Sequence, residues 1–141
     1  MADKIVLELS REHARIVQDA CEMLMRLRLG QSTYPTELML GWPLHEGMDT
    51  KEYCMRRDTA KMVLEGFLHA VLGTNSAGWP DGRKDEMENL AYEVWATIRH
   101  VLYLHDYPND KSYDVRSWEP LKESEYPMPK CKVVRDETET K

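Results

Sequence analysis

The recurrence of apolar residues at steps of three and four along the chain predicts three long amphipathic helices, near residues 10–29, 49–72 and 85–105. In the first, Val17 and Leu24 belong to a series of apolar residues at steps of three and four, which places them on one helix face. Ser10 stands where a helix N-cap belongs, and Gly30 suits a C-terminal cap.

The second and third helices carry similar boundary signals. Asp49, followed three residues later by Glu52, resembles a capping box, and Gly73 suits a helix end. Acidic residues near residue 85 complement the dipole of the third helix, and Pro108 prevents its continuation. We expect the second helix to bury a stripe formed by Ala60, Val63, Leu64, Phe67, Leu68 and Val71. We expect the third to bury Met87, Leu90, Ala91, Val94, Ile98, Val101 and Leu102.

The segments at the two ends of the chain add a strand signal. Residues 4–9 alternate between apolar and polar, which is typical of a short strand, and residues 130–135 are a candidate partner strand. The predicted fold is therefore mainly α with a small α+β element: a three-helix core and a two-stranded sheet from the N- and C-terminal segments. We expect one domain over residues 1–135 and a frayed tail over residues 136–141.

Composition narrows the class of protein. Hydrophobic residues make up 42% and charged residues 31% of the 141 positions, which is typical of a globular domain. The net charge of −6 disfavours binding to nucleic acid or to an anionic membrane. The three cysteines have no paired spacing, so we expect buried, reduced thiols. The N-terminus does not resemble a signal peptide, and we expect a cytoplasmic protein.

The sequence contains no local motif that indicates catalysis. The glycines lack the Lys-Ser/Thr of a phosphate-binding loop, and no serine lies in a nucleophile elbow. The pair His45 and Glu46 lacks the second histidine of a zinc protease helix, and His100 and His105 fall on different helix faces. We therefore expect no catalytic residue, no metal site and no cofactor, although distant residues can meet in the fold.

Arginines and aromatic residues form the most suggestive set. Tyr92, Trp95, Arg99 and Tyr103 follow one another at steps of three and four along one flank of the third helix. Aromatic rings stack on planar ligands, and guanidinium groups bind phosphate in a fork. We expect a ligand-binding site formed by Arg26, Arg28, Gln31, Tyr92, Trp95, Arg99, Tyr103 and Arg116.

This set also has a purely structural interpretation. Trp95 and Tyr103 have the spacing of residues at the edge of a core. Arg26 and Arg28 lie near a helix C-terminus, where cations are favoured by the helix dipole.

The segment from Leu9 to Gln31, LSREHARIVQDACEMLMRLRLGQ, carries an arginine-leucine-glycine-glutamine helix end. A later isoleucine-arginine-histidine step precedes a tail that contains prolines. Over about half the chain this pattern resembles small uncharacterised proteins of bacteriophages and prophages. The resemblance implies a phage origin, the cytoplasm of a bacterial host and a counter-defence role.

Three hypotheses about function remain open. In the first, a non-enzymatic homo-oligomer binds and sequesters a nucleotide-derived signal. In the second, the chain inhibits a host bacterial protein by direct contact. In the third, scattered acidic residues hold magnesium for nucleotide hydrolysis, although the Glu-x-x-Glu repeats of helical nucleotide hydrolases are missing from the sequence. The first hypothesis predicts that Arg26, Arg99 and Tyr103 converge on one concave site.

Overall fold

A computed structural model describes residues 4–41, 47–73, 86–109 and 114–134. Four α-helices and one 3-10 turn account for the regular structure of these residues: α1 Arg11–Arg28, α2 Thr33–Leu40, α3 Thr50–Leu72, α4 Met87–Asp106 and the 3-10 turn Val115–Ser117. The three long helices predicted from the sequence are confirmed. The predicted start of the third helix near residue 85, the apolar connector residues Trp42 and Leu44, and the tail 136–141 lie outside the described residues.

Local capping sets the helix boundaries. The hydroxyl of Ser10 accepts a hydrogen bond from the amide of His13, and the carboxylate of Asp49 accepts one from the amide of Glu52 at 2.7 Å. These contacts satisfy amide groups that have no partner within the helix. At the end of α3, Gly73 adopts a left-handed conformation with φ of 68°, which glycine tolerates without steric cost.

Helices α1 and α4 run antiparallel and are tied together at both ends. Arg11 at the start of α1 forms an ion pair with Asp106 at the end of α4. Arg28 at the end of α1 donates to the buried carboxylate of Glu88 in the first turn of α4, at 2.9 Å. This arrangement sets the first half of α1 beside the second half of α4, and that region contains the candidate site.

The principal core lies between these two helices. Met25 of α1 and Leu29, which directly follows α1, pack against three residues of α4: Ala91, Trp95 and Ala96. Trp95 is only 8% exposed, and Tyr103, two turns later, is 5% exposed. Both aromatic residues therefore stabilise the fold, which agrees with the structural interpretation of their helical spacing.

The predicted three-helix core is wrong, because among the described residues α3 packs mainly against α2 and has no comparable packing against α1 or α4. Leu68 and Tyr53 are buried on the side of α3 that carries this contact, and Ser32 at the start of α2 donates to Glu65 at 2.8 Å. In the stripe predicted to be buried, Leu68 is buried and Leu64 is half-buried, but Val63 and Phe67 are exposed. Helix α3 carries apolar residues on two faces, so periodicity alone could not select the inner one.

The predicted two-stranded sheet is also wrong. Neither residues 4–9 nor residues 130–134 form a strand, and Ile5 and Val6 are 95% and 88% exposed. Alternation shows only that a segment could pair, and an isolated pair of strands is marginal without a surface to cover one face. Neither segment lies against such a surface. Residue 135, at the end of the second predicted strand, is outside the described residues.

The segment after the 3-10 turn is held to α4 by one buried carboxylate. Glu93 accepts hydrogen bonds from the amides of Glu123 and Ser124, at 2.8 and 2.6 Å, and from the Ser124 hydroxyl at 2.8 Å. Burial alone would raise the pKa of Glu93, but these hydrogen bonds outweigh burial and hold the pKa below its usual value. Glu93 thereby anchors an irregular segment that has no helix or strand of its own over residues 118–134.

The expectation of buried thiols is only partly met. Cys21 and Cys54 are half-buried, and Cys131 is exposed. All three are free cysteines. Burial raises the pKa of the Cys21 thiol, which keeps it in the less reactive protonated form.

Candidate ligand-binding cleft

An open cleft of about 300 Å³ lies between the first half of α1, the last turns of α4 and the 3-10 turn. Its volume is at the lower end of the range for small-molecule sites. The lining residues come from all three elements: Arg15, Gln18, Asp19, Arg99, Leu102, Tyr103, Asp106, Tyr107 and Arg116. Three of these, Arg99, Tyr103 and Arg116, belong to the ligand-binding set predicted from the sequence.

Arg99 is the most unusual residue of the cleft. Its guanidinium carbon lies 4.0 Å from the centre of the Trp95 ring, and its Nε atom is buried without a hydrogen-bond partner among the described residues. No carboxylate in the described part of the chain lies within ion-pair distance of it. Burial lowers the pKa of Arg99, because desolvation disfavours the charged form. A positive charge is thus held at the wall of the cleft.

Arg116 is positioned by contacts on both sides of its guanidinium. Its Nε donates to Asp114 at 2.9 Å, and its guanidinium carbon lies 4.5 Å from the centre of the Tyr103 ring. Hydrogen bonds from the Arg116 side chain lower the pKa of Asp114 to about 2. The carbonyl oxygen of Arg116 accepts a hydrogen bond from Nδ1 of His100 at 3.0 Å, which fixes the 3-10 turn to α4.

Tyr107 gives the cleft an accessible aromatic surface. Its ring is 5.1 Å from that of Tyr103 and tilted by 39°. Tyr103 is buried, whereas Tyr107 is 54% exposed. A planar ring that enters the cleft can therefore pack on Tyr107, which is already supported from behind.

Two carboxylates balance the arginines. Asp106 is paired with Arg11, and hydrogen bonds from Arg11 lower its pKa. Burial raises the pKa of Asp19, which also lies near Glu22. Since Asp19 and Gln18 can accept hydrogen bonds, the cleft can bind a ligand that carries both an anionic group and hydroxyl or amino donors.

The arginines at the end of α1 lie outside this cleft. Arg26 donates to Gln31 at 2.7 Å and to Glu22 at 3.1 Å, and Arg28 is paired with Glu88. These contacts give Arg26, Arg28 and Gln31 a role in holding the helix end. The expected convergence of Arg26 with Arg99 and Tyr103 therefore does not occur.

The two remaining residues of the predicted set lie on α4 next to Arg99. The ring centres of Tyr92 and Trp95 are 5.8 Å apart, and both residues pack at the α1–α4 core. Neither lines the cleft. Trp95 acts on it indirectly, because its ring supports the Arg99 guanidinium.

Several lining residues were not predicted from the sequence. Arg15 and Asp19 are one turn apart on α1, and the sequence assigned them only to polar faces. Tyr107 follows Tyr103 by four residues, a spacing that could have extended the aromatic series. The antiparallel pairing of α1 with α4 could not be obtained from spacing, and it is this pairing that brings α1 to the cleft.

In comparisons with known proteins, no protein-family model, no curated protein and no solved structure matches this chain. Within the described residues, no helix is long and apolar enough to cross a membrane. No group of three or more metal-binding side chains occurs among them either.

Proposed function

We propose that this chain is a non-enzymatic binding protein that takes a phosphorylated, nucleotide-like small molecule in the α1–α4 cleft. The observation that carries the proposal is Arg99, a half-buried residue whose Nε atom is buried, which has no carboxylate partner among the described residues and lines a cleft. A buried charge is costly unless it is compensated. A phosphate group would compensate it, because guanidinium and phosphate form short, charge-assisted hydrogen bonds.

The other lining residues favour a nucleotide over a simple anion. Arg15 and Arg116 add two further guanidinium groups within the same cleft. Tyr107 offers a ring on which a base can stack, and Asp19 can accept from a ribose hydroxyl or a base amine. The biological role that fits best is sequestration of a nucleotide-derived signal, which is one of the two counter-defence roles expected of a small phage protein.

Thermal unfolding in the presence of a ligand panel tests the proposal. We expect one or more of cyclic mononucleotides, cyclic dinucleotides and ADP-ribose to raise the unfolding temperature by several degrees. Ligand at 100 times its Kd adds about 2.7 kcal/mol to the free energy of unfolding. Inorganic phosphate at equal concentration serves as the control for a simple anion effect. If no member of the panel stabilises the protein, the proposal is wrong.

Two further measurements define the mode of action. Arg99→Gln should lose the ligand-induced stabilisation, whereas Arg56→Gln should keep it, because Arg56 lies on α3 and pairs with Glu52 outside the cleft. Ligand recovered after incubation and denaturation should be chemically intact by mass spectrometry. Conversion of the ligand would contradict the non-enzymatic assignment and favour hydrolysis.

A further inference from the structure

One side of α3 presents an exposed apolar surface. Five large apolar residues on this helix are between 57% and 73% exposed: Met55, Met62, Val63, Phe67 and Val71. At 100° per residue they span one half of the helix surface: Met55, Met62 and Val63 lie on the side away from Leu68, and Phe67 and Val71 extend the surface around the helix toward it. Three small residues lie among them and are also exposed: Thr59, Gly66 and Ala70. We call these eight residues the α3 outer face.

Between residues 59 and 71 the α3 outer face contains no charged residue, and the pair of Glu52 with Arg56 lies at its N-terminal end beside Met55. The area of the face is what a pair of chains would require. Each large apolar side chain contributes on the order of 100 Å² of surface. The face therefore exposes about 500 Å² on one chain, at the upper end of the range for the largest patch on a monomer. Two copies packed face to face would bury about 1,000 Å², which reaches the lower limit for specific interfaces.

Gly66 gives the α3 outer face a shallow groove. A Cβ atom added there would meet nothing within 4 Å in the single chain. Its backbone is helical, so alanine fits without strain. Glycine inside a helix is destabilising relative to alanine by about 0.5–1 kcal/mol. Gly66 therefore has no use in an isolated helix, but with Ala70 one turn later it lets a second helix approach closely.

We propose that the α3 outer face is the interface between two copies of this chain, related by a two-fold axis with α3 packed on α3. A second copy fits because the part of the face over residues 59–71 is apolar and uncharged and can therefore pack on itself, and two-fold pairs are the commonest closed assembly. The interface lies on α3, whereas the cleft is formed by α1, α4 and the 3-10 turn. Each protomer keeps its own cleft.

Solution mass of the full chain tests this interface. Sedimentation equilibrium should give twice 16.5 kDa for the natural sequence. Val63→Glu should reduce the mass to that of one chain with helical circular dichroism retained. Ile16→Glu is the matched control, because Ile16 is an equally exposed, β-branched residue on α1, and it should leave the dimer intact. A natural chain that stays monomeric, or a Val63→Glu variant that stays dimeric, would overturn the proposal.

Cross-linking covers the case in which Val63→Glu does not fold. With the three native cysteines replaced by serine, a short bis-maleimide should link two chains through Val63→Cys and not through Ile16→Cys. Equal cross-linking of the two variants, or none at Val63→Cys, overturns the proposal.

Gly66→Ala distinguishes the dimer from an unoccupied helix. In a dimer with close helix contact it should weaken self-association at least tenfold. In a monomer with a free outer face it should raise the unfolding temperature by a few degrees and leave the mass unchanged, which would contradict the proposal. Capture of a different protein by this face in place of a second copy would contradict it as well.

Discussion

The guanidinium of Arg99 packs on the Trp95 ring, with 4.0 Å between the guanidinium carbon and the ring centre. This contact joins the core to the cleft. Trp95 is buried against Met25 of α1 and against Leu29, so its ring cannot move without disturbing the core. Arg99 is thus held at a fixed place on the wall of the cleft before any ligand arrives, and preorganisation of this kind reduces the entropy lost on binding.

The position of Arg99 predicts that its removal weakens ligand binding and leaves stability almost unchanged. Arg99→Met keeps much of the apolar stem and removes a half-buried charge that has no carboxylate partner among the described residues. It loses a cation–π contact of about 0.5–2 kcal/mol but also removes a desolvation cost. We expect the free energy of unfolding by urea to change by less than about 1 kcal/mol, while affinity for the cleft ligand falls at least tenfold. A large loss of stability would show that Arg99 is structural.

Arg28 should behave in the reverse way. It pairs with the buried carboxylate of Glu88, so Arg28→Met leaves a buried charge without its cation. We expect a loss of about 2–4 kcal/mol in the free energy of unfolding. The double variant Arg28→Met with Glu88→Met should recover most of it, because no buried charge remains.

The exposed pair of Arg56 with Glu52 provides the control for that experiment. Arg56→Met should cost less than about 1 kcal/mol, since water screens an exposed ion pair. Chemical denaturation of all four proteins gives the comparison. Equal costs for Arg28→Met and Arg56→Met would contradict the assignment of the Arg28–Glu88 pair as a tie between α1 and α4.

The anchor formed by Glu93 predicts a pH-dependent contribution to stability. Folding lowers the pKa of Glu93, so its carboxylate stabilises the fold above the pKa of the unfolded chain, about 4.3. This contribution is lost as the pH falls through the lower pKa of the folded state. Glu93→Gln should destabilise the protein by about 1–2 kcal/mol at neutral pH and by less in acid.

Urea unfolding across the acid range measures this difference. Glu86→Gln is a suitable control, because Glu86 accepts a single, longer hydrogen bond of 3.2 Å from the Glu125 amide. It should cost less than about 0.5 kcal/mol. If Glu93→Gln loses stability in acid as steeply as the natural sequence does, the anchor is not the source of the effect.

Asp114 should remain ionised far into the acid range. Hydrogen bonds from Arg116 lower its pKa to about 2, and NMR titration of the Asp114 carboxyl carbon should give a midpoint there. Arg116→Gln removes the paired cation, and the midpoint should then return toward about 3.9, the value for aspartate without a partner. A midpoint that is the same in both proteins would mean that Arg116 does not lie against Asp114 in solution.

The helix boundaries could be predicted from the sequence because each depends on residues a few positions apart. Ser10 and Asp49 cap helices in the structure as their side chains and spacing predicted. The signal at Gly30 is equally local: the Gln31 amide donates to the Arg26 carbonyl at 2.8 Å, and Gly30 takes a positive φ of 74° at the helix end.

The packing of the helices could not be predicted in the same way. Val63 and Phe67 have the same spacing as core residues, yet they are exposed. Helix α3 has two apolar stripes, and the sequence does not indicate which of them faces α2. The strand signal over residues 4–9 failed for a related reason. Pairing depends on a partner and a supporting surface, and alternation contains information about neither.

The cleft was predicted in part. Arg99, Tyr103 and Arg116 were selected from the sequence because planar charged and aromatic side chains suit a phosphorylated ligand. Arg15 and Asp19 were missed, since their role depends on the antiparallel crossing of α1 and α4. Arg26 does not line the cleft, and a basic residue at a helix end looks the same in sequence whether it pairs with Glu22 or binds a ligand.

The Nε–Hε signal of Arg99 in ¹H–¹⁵N NMR spectra provides the most direct test of the central claim. The Nε atom has no hydrogen-bond partner among the described residues, so its resonance reports on what binds the guanidinium. We expect ADP-ribose, a cyclic mononucleotide or a cyclic dinucleotide to shift the Arg99 signal in a saturable way and to leave the Arg56 signal unchanged. If saturating amounts of all three leave the Arg99 signal in place, the cleft is not a nucleotide site.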